Sequence, residues 1–173
     1  FGDLLTSNKN ARKNLDIEQT YPTPVFRKIC PIGKLRKWAA YLDKYMLFSK
    51  RLNREIKCRK NPLHLIHTID HSNAIYLPNL SRITGAKKII TCHDLIAIRT
   101  AMGDFTQAQK TSKSGKRLQN WISDSLHHAD YYACDSRQTL ENLNQLIPMS
   151  KEKSSVIHLG TEPDSSSISE KKD

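Results

Sequence analysis

The chain has 173 residues, enough for one domain with a sizeable core and too few for two large ones. No apolar run approaches the ~20 residues needed to cross a bilayer, and no signal-peptide pattern opens the chain. The net charge of +11 is unevenly placed: residues 1–60 hold 15 Lys/Arg against 5 Asp/Glu, and residues 61–173 hold 13 against 12. The basic character therefore belongs to one segment. Cys30, Cys58, Cys92 and Cys134 form no C-x-x-C pair, which suits neither a zinc ribbon nor a small disulfide scaffold. Unpaired cysteines inside predicted strands favour a reducing cytoplasm. The first residue is Phe1, and the expectation is a piece of something longer.

In chain order, residues 1–20 are polar and weakly periodic. Tyr21-Pro22-Thr23-Pro24 pushes the backbone to extended geometry. Lys34 to Cys58 reads as one long helix, with Leu35, Trp38, Ala39, Leu42, Tyr45, Met46, Leu52 and Ile56 at helical spacing. Asn61-Pro62 ends it. A strand–helix alternation follows. Leu63–Ile69 is a strand, Ser72 caps a helix over 73–83 that Pro78 must kink or interrupt, and Lys87–Cys92 is the next strand. Arg99 to Ser114 reads as a loop. Leu118, Trp121, Ile122 and Leu126 mark a helix, Ala129–Cys134 a strand, Leu140, Leu143 and Ile147 another helix, and Ser154–Leu159 the last strand. This alternation predicts an α/β, Rossmann-like parallel sheet with helices on both faces. The expected organisation is a basic, partly helical segment over 1–62, the α/β domain over 63–163, and a disordered tail or truncated connection over 164–173.

In such sheets ligands bind outside the carboxyl ends of the strands. Two strands end there on ionisable residues: Ile90-Thr91-Cys92 on His93-Asp94, and Ile66-His67-Thr68-Ile69 on Asp70-His71-Ser72. His93 in that place serves either as a general base or as a hydrogen-bond partner for a sugar hydroxyl. Asp94 either accepts from hydroxyls or caps the next turn. Asp70 and Ser72 are also good caps, which leaves His71 as the site candidate of that loop. Asp135-Ser136 opens a helix after a strand, where free N–H groups meet a ligand or simply a capping side chain. His158-Leu159-Gly160-Thr161-Glu162 follows the last strand, with Gly160 in a close approach to ligand or in a plain turn.

His64, His67 and His71 would share a face only on a helix. On a strand, His64 and His67 point to opposite sides, so no metal is expected. G-x-G-x-x-G, Walker A and G-x-S-x-G are all absent. The basic aromatic helix has three readings: nucleic acid, an anionic membrane surface met by Lys34, Lys37, Trp38, Lys44 and Arg51, or an amphipathic helix with a solvated basic face. Nucleic acid is the least favoured of these as a partner.

Four stretches taken together resemble one family. Ile-His-Thr-Ile-Asp-His-Ser at 66–72, Ile-Ile-Thr-Cys-His-Asp-Leu-Ile at 89–96, His-Ala-Asp-Tyr-Tyr-Ala-Cys-Asp-Ser at 128–136 and Val-Ile-His-Leu-Gly-Thr-Glu at 156–162 come in order and spacing similar to the N-terminal domain of family 4 glycosyltransferases, of GT-B fold. The resemblance runs from about Leu63 to Pro163.

It implies transfer of a sugar from a nucleotide-sugar donor to a glycan or lipid-linked acceptor, with retention and without a metal or other cofactor, in polysaccharide or glycoconjugate biosynthesis. It implies His93 and Asp94 as catalytic residues, His71, Ser72 and Ser136 on the acceptor side, and Gly160 and Thr161 toward the donor domain. It also implies a C-terminal nucleotide-binding domain as partner and a cytoplasmic enzyme, peripheral on the inner face of the membrane. The family's glycine-rich loop and donor domain are not found in these residues, so the isolated chain is expected to be inactive. Many members carry Asn-Gly where this chain has Leu159-Gly160. The rival readings are a non-catalytic basic binding domain and half of a GT-B-type sugar epimerase.

Overall fold

A computed structural model describes residues 16–30, 33–104 and 111–158. Four strands, β1 (Leu65–Thr68), β2 (Lys87–Cys92), β3 (Tyr131–Cys134) and β4 (Ser154–Val156), form one parallel sheet in the order β1-β2-β3-β4. With helices packed around it, the fold is α/β and Rossmann-like. The register pairs His67 with Ile89, Ile89 with Tyr131 and Cys92 with Cys134. Ile90, Cys92, Tyr132 and Cys134 lie on one face at under 2 % exposure, in the main core. The alternate positions Leu65 and Tyr131, at 51 % and 43 %, remain exposed.

A short helix, α1 (Phe26–Ile29), precedes the long helix, which runs as α2 (Gly33–Leu42), a π-helical turn (Asp43–Leu47) and α3 (Phe48–Lys57). After β1 comes a 3₁₀ turn (His71–Tyr76), then α4 (Leu77–Ile83). Pro78 sits in the first turn of α4, where its missing N–H leaves no bond unmade; it restarts the helix instead of kinking it. The predicted loop after Arg99 starts later than expected. α5 (Ile96–Met102) is helical because Ile98 and Ala101 are buried, and Gly103 ends it in the left-handed conformation. α6 (Lys113–Leu126) is capped by Ser112 and α7 (Arg137–Leu146) by Ser136.

The core joins Phe48 and Tyr76 to Leu77, Leu80, Ile98, Ile122, Leu126, Leu143 and Ile147, each contributing about 1.5–3 kcal/mol on full burial. Phe48 lies in segment 1–62, so the long helix shares the core of the sheet.

The π-turn is what the periodicity missed. Its extra residue shifts the facing of everything after it, so one apolar stripe does not run the helix length. Ala39 and Phe48 are buried, while Leu35, Trp38, Leu42 and Met46 are exposed. Two polar contacts hold the turn open. The buried Asp43 carboxylate accepts from the N–H groups of Val25, Phe26 and Arg27 at 2.9–3.0 Å. Tyr76 Oη donates to the Lys44 carbonyl at 2.7 Å.

Candidate functional site

The carboxyl ends of the strands bring the sequence candidates together. His93, one residue past β2, reaches across to Asp135, one residue past β3. His93 Nδ1 lies 3.1 Å from Asp135 Oδ2, and His93 Nε2 lies 3.1 Å from the Ile69 carbonyl after β1. An ionised carboxylate and a carbonyl are both acceptors. Both ring nitrogens are thus engaged, and while the two bonds stand His93 is a held ring rather than a free base. Its carbonyl accepts from Thr139 Oγ1 at 3.0 Å, tying the β2 end to α7. His158 Nδ1, beyond β4, donates to the Asp135 carbonyl at 3.1 Å, so all four strand ends meet.

The second cluster stands at the end of β1. Asp70 Oδ1 accepts from the Ser72 N–H at 2.6 Å and lies 3.7 Å from His71 Nδ1. From the π-turn, Lys44 Nζ donates to Ser72 Oγ at 3.3 Å. Burial pushes the Asp70 carboxyl up, but the N–H and hydroxyl of Ser72, with the charges of His71 and Lys44, outweigh it and hold the carboxyl below its ordinary range. Burial lowers His71, with His93 and Lys44 acting in the same direction against the pull of Asp70 and Asp94. The His71 Nδ1 is shut from solvent without a hydrogen-bond partner. Burial lowers Lys44 as well, against Asp70.

The remaining candidates distribute as follows. Asp94 is exposed and its Oδ1 accepts from the Ile96 N–H at 3.1 Å, which is the capping alternative. Ser136 Oγ accepts from the Thr139 N–H at 3.1 Å, also a cap. Gly160 and Thr161 lie outside the described residues. His67 Nε2 bonds Thr91 Oγ1 at 2.8 Å across the sheet. Among the described residues, no group of three or more His, Cys, Asp or Glu gathers as a metal site.

The membrane-surface candidates divide by their contacts. Lys44 turns inward to Ser72 because the π-turn carries it over the strand ends. Arg51 is held by Glu55 at 3.0 Å, Thr23 at 3.1 Å and the Tyr21 carbonyl at 3.2 Å, so it ties down the extended segment before α1. Lys37 and Trp38 are exposed on α2, where Tyr41 stacks on Tyr45 at 5.6 Å. The side chain of Lys34 is outside what is described. Among the described residues, no helix is long and apolar enough to cross a membrane.

Sequence reading took Asp135 only together with Ser136 as the opening of a helix, and did not single out the Asp135 carboxylate as a partner of His93 or Thr139 as a tie to its carbonyl. The signal was present: Asp135 stands one residue past β3, as His93 stands one past β2, and the pairing of Cys92 with Cys134 sets the two side by side.

Neither a curated protein nor a solved structure matches the chain. The family model described as Glycosyltransferase Family 4 matches residues 12–165, which takes in all four strands, the long helix and every strand-end residue above. That span is well over half of the chain, and the chain belongs to glycosyltransferase family 4.

Proposed function

We propose that this chain is the acceptor-side domain of a retaining glycosyltransferase, which transfers a sugar from a nucleotide-sugar donor to a glycan or lipid-linked acceptor. The observation that carries the reading is the convergence of His93 and Asp135 at the carboxyl ends of β2 and β3, in a chain of this family. In this reading the nucleotide leaves from the face that the acceptor hydroxyl approaches. His93, held by Asp135 and the Ile69 carbonyl, presents a fixed, polar ring to the transferred sugar. Fixing the geometry in advance lowers the barrier without reorganisation when charge develops. Asp94 and Ser136 shape the same edge as caps, and His71 and Ser72 face the acceptor. The partner that the reaction requires is a nucleotide-binding domain. No metal takes part.

The exposed Leu35, Trp38, Tyr41 and Leu42 on α2, beside Arg36 and Lys37, support an anionic membrane surface as the place of work. Aromatic rings and basic side chains suit that interface together.

The test is a transfer assay on a protein that carries this chain together with a nucleotide-binding domain, using a panel of labelled nucleotide sugars with glycan and lipid-linked acceptors. Transfer from at least one donor is expected, and His93→Ala cuts turnover about ten-fold or more with the melting curve unchanged. No transfer from any donor overturns the reading. Unchanged turnover in His93→Ala removes His93 from the site.

A further inference from the structure

The π-turn at Asp43–Leu47 is costly to build, and three independent tertiary contacts converge on it. Asp43 takes three backbone N–H groups, the Lys44 carbonyl takes the Tyr76 hydroxyl, and Lys44 Nζ reaches Ser72 at the end of β1. A regular helix would leave Asp43 and Tyr76 without these partners and would turn Lys44 elsewhere. π-turns inside α-helices recur at functional sites.

We propose that this turn delivers Lys44 into the strand-end site as a contact for a sugar hydroxyl of the acceptor, acting with Ser72 and the Asp70–His71 pair. The inference rests on the glycosyltransferase reading for what it calls the acceptor. It goes beyond that reading in assigning Lys44, which the family resemblance does not single out.

The chemistry of the ligand follows from the groups present. Lys44 carries three N–H donors, of which one is used on Ser72. Asp70, whose Oδ1 accepts from the Ser72 N–H at 2.6 Å, supplies carboxylate acceptors on the same loop. A group that both donates and accepts satisfies the two together, and a hydroxyl does so. A phosphate is disfavoured by the like charge of the Asp70 carboxylate, which stands 3.7 Å from His71 Nδ1.

A second observation points to an unfinished arrangement. His71 Nδ1 is shut from solvent, has no hydrogen-bond partner, and stops 3.7 Å from Asp70 Oδ1. An unmade bond of that kind is unfavourable. Hydrogen bonds at sites of this type are often long without ligand and tighten when it binds. Closing Asp70 onto His71 around a bound hydroxyl completes the set.

The experiment is an NMR titration of the full chain with methyl α-glucoside, methyl α-mannoside and methyl α-galactoside, and separately with inorganic phosphate. It follows the ring nitrogens of His71 and the amide of Ser72. Saturable shifts at both positions are expected with at least one glycoside and not with phosphate. Lys44→Met raises the dissociation constant about ten-fold or more, the value of a hydrogen bond to a charged group. Lys44→Arg, which keeps charge and donors, changes it by less than about three-fold. Tyr76→Phe keeps the ammonium but frees the turn, and it weakens binding by an intermediate factor. Equal binding in Lys44→Met, shifts with phosphate alone, or no shift at the β1 end each overturn the proposal. Glycoside shifts that persist while no nucleotide sugar is turned over count against the transferase reading and leave the Lys44 contact standing.

Discussion

Asp135 Oδ2 and His93 Nδ1 lie 3.1 Å apart although 42 positions separate the two residues in the chain. The parallel pairing of Cys92 with Cys134 accounts for it, because each residue follows its cysteine by one. In the proposed reading Asp135 is a positioning residue that acts through His93. Asp135→Asn removes the carboxylate charge while keeping the shape. In a transfer-competent protein it is expected to lower turnover about as far as His93→Ala, roughly ten-fold. It is also expected to move the Nδ1 resonance of His93, which a purely structural role in α7 would leave in place. Full activity with an unmoved resonance would show that the pair is incidental.

Stability should fall on mild acidification. Burial lowers both His67 and His71 from the ordinary 6.5. In the unfolded chain these rings take up protons as the pH drops through about 6.5, while the folded rings remain neutral. The unfolded state then binds more protons, so stability declines with falling pH until the folded rings protonate in turn. Asp43 and Asp70 have depressed carboxyls and lose their contribution later, as the pH falls below the ordinary 3.8 toward their folded values. Melting temperatures across pH 7 to about 5 should slope downward, and the double variant His67→Gln with His71→Gln should flatten that slope. An unchanged slope in the double variant would place the sensitivity elsewhere.

Two classes of thiol should separate on alkylation of the native protein. Cys58 is exposed and Cys30 half-exposed, whereas Cys92 and Cys134 are fully buried neighbours on β2 and β3. The hydrogen bond with Cys134, together with burial, pushes the Cys92 thiol far up, so it stays a thiol rather than a reactive thiolate. With iodoacetamide at pH 8, modification is expected to stop at Cys30 and Cys58 until denaturant is added. Rapid labelling of Cys92 or Cys134 would mean that the sheet opens readily.

The exposed face of α2 gives a test at a membrane. Trp38 is 62 % exposed and Leu35 66 %, far above what an isolated core-packing helix leaves to water. Co-sedimentation with vesicles containing anionic lipid should exceed that with neutral vesicles and should fall with salt. Trp38→Ala combined with Lys37→Glu should lower the bound fraction several-fold, whereas Arg51→Ala should not, since Arg51 is engaged with Thr23 and Glu55. Equal loss in both variants would indicate that general charge, and not this face, governs binding.

What was legible in the residues alone was the strand–helix alternation and the edge at which the polar candidates stand. Lys87–Cys92 matches its strand end to end, and β1, β3 and β4 fall inside the expected stretches. Continuous apolar runs that stop at polar pairs mark buried parallel strands, and such strands carry chemistry at their carboxyl ends. His93, His71 and Ser72 were singled out as candidates from that pattern, and the family from the order of the four stretches. The capping roles of Asp94 and Ser136 stood among the open alternatives because a cap and a ligand contact use the same residue types.

The direction of a side chain on the long helix was not legible. Helical spacing assumes a constant turn, and Asp43 with Tyr76 impose a wider one through partners 16–18 residues before Asp43 and 32 residues after Lys44. That single insertion sends Lys44 to Ser72. Nor does a sequence say which strand lies beside which. The order β1-β2-β3-β4 places Asp135 against His93, and the contact depends on hydrogen bonding between strands that only the assembled sheet provides. Local pattern thus determined the elements and the identity of the edge, because periodicity and capping are properties of neighbouring residues. Tertiary structure decided the pairing of His93 with Asp135 and the inward path of Lys44, because both arise from polar groups, distant in the chain, that must find partners once they are buried.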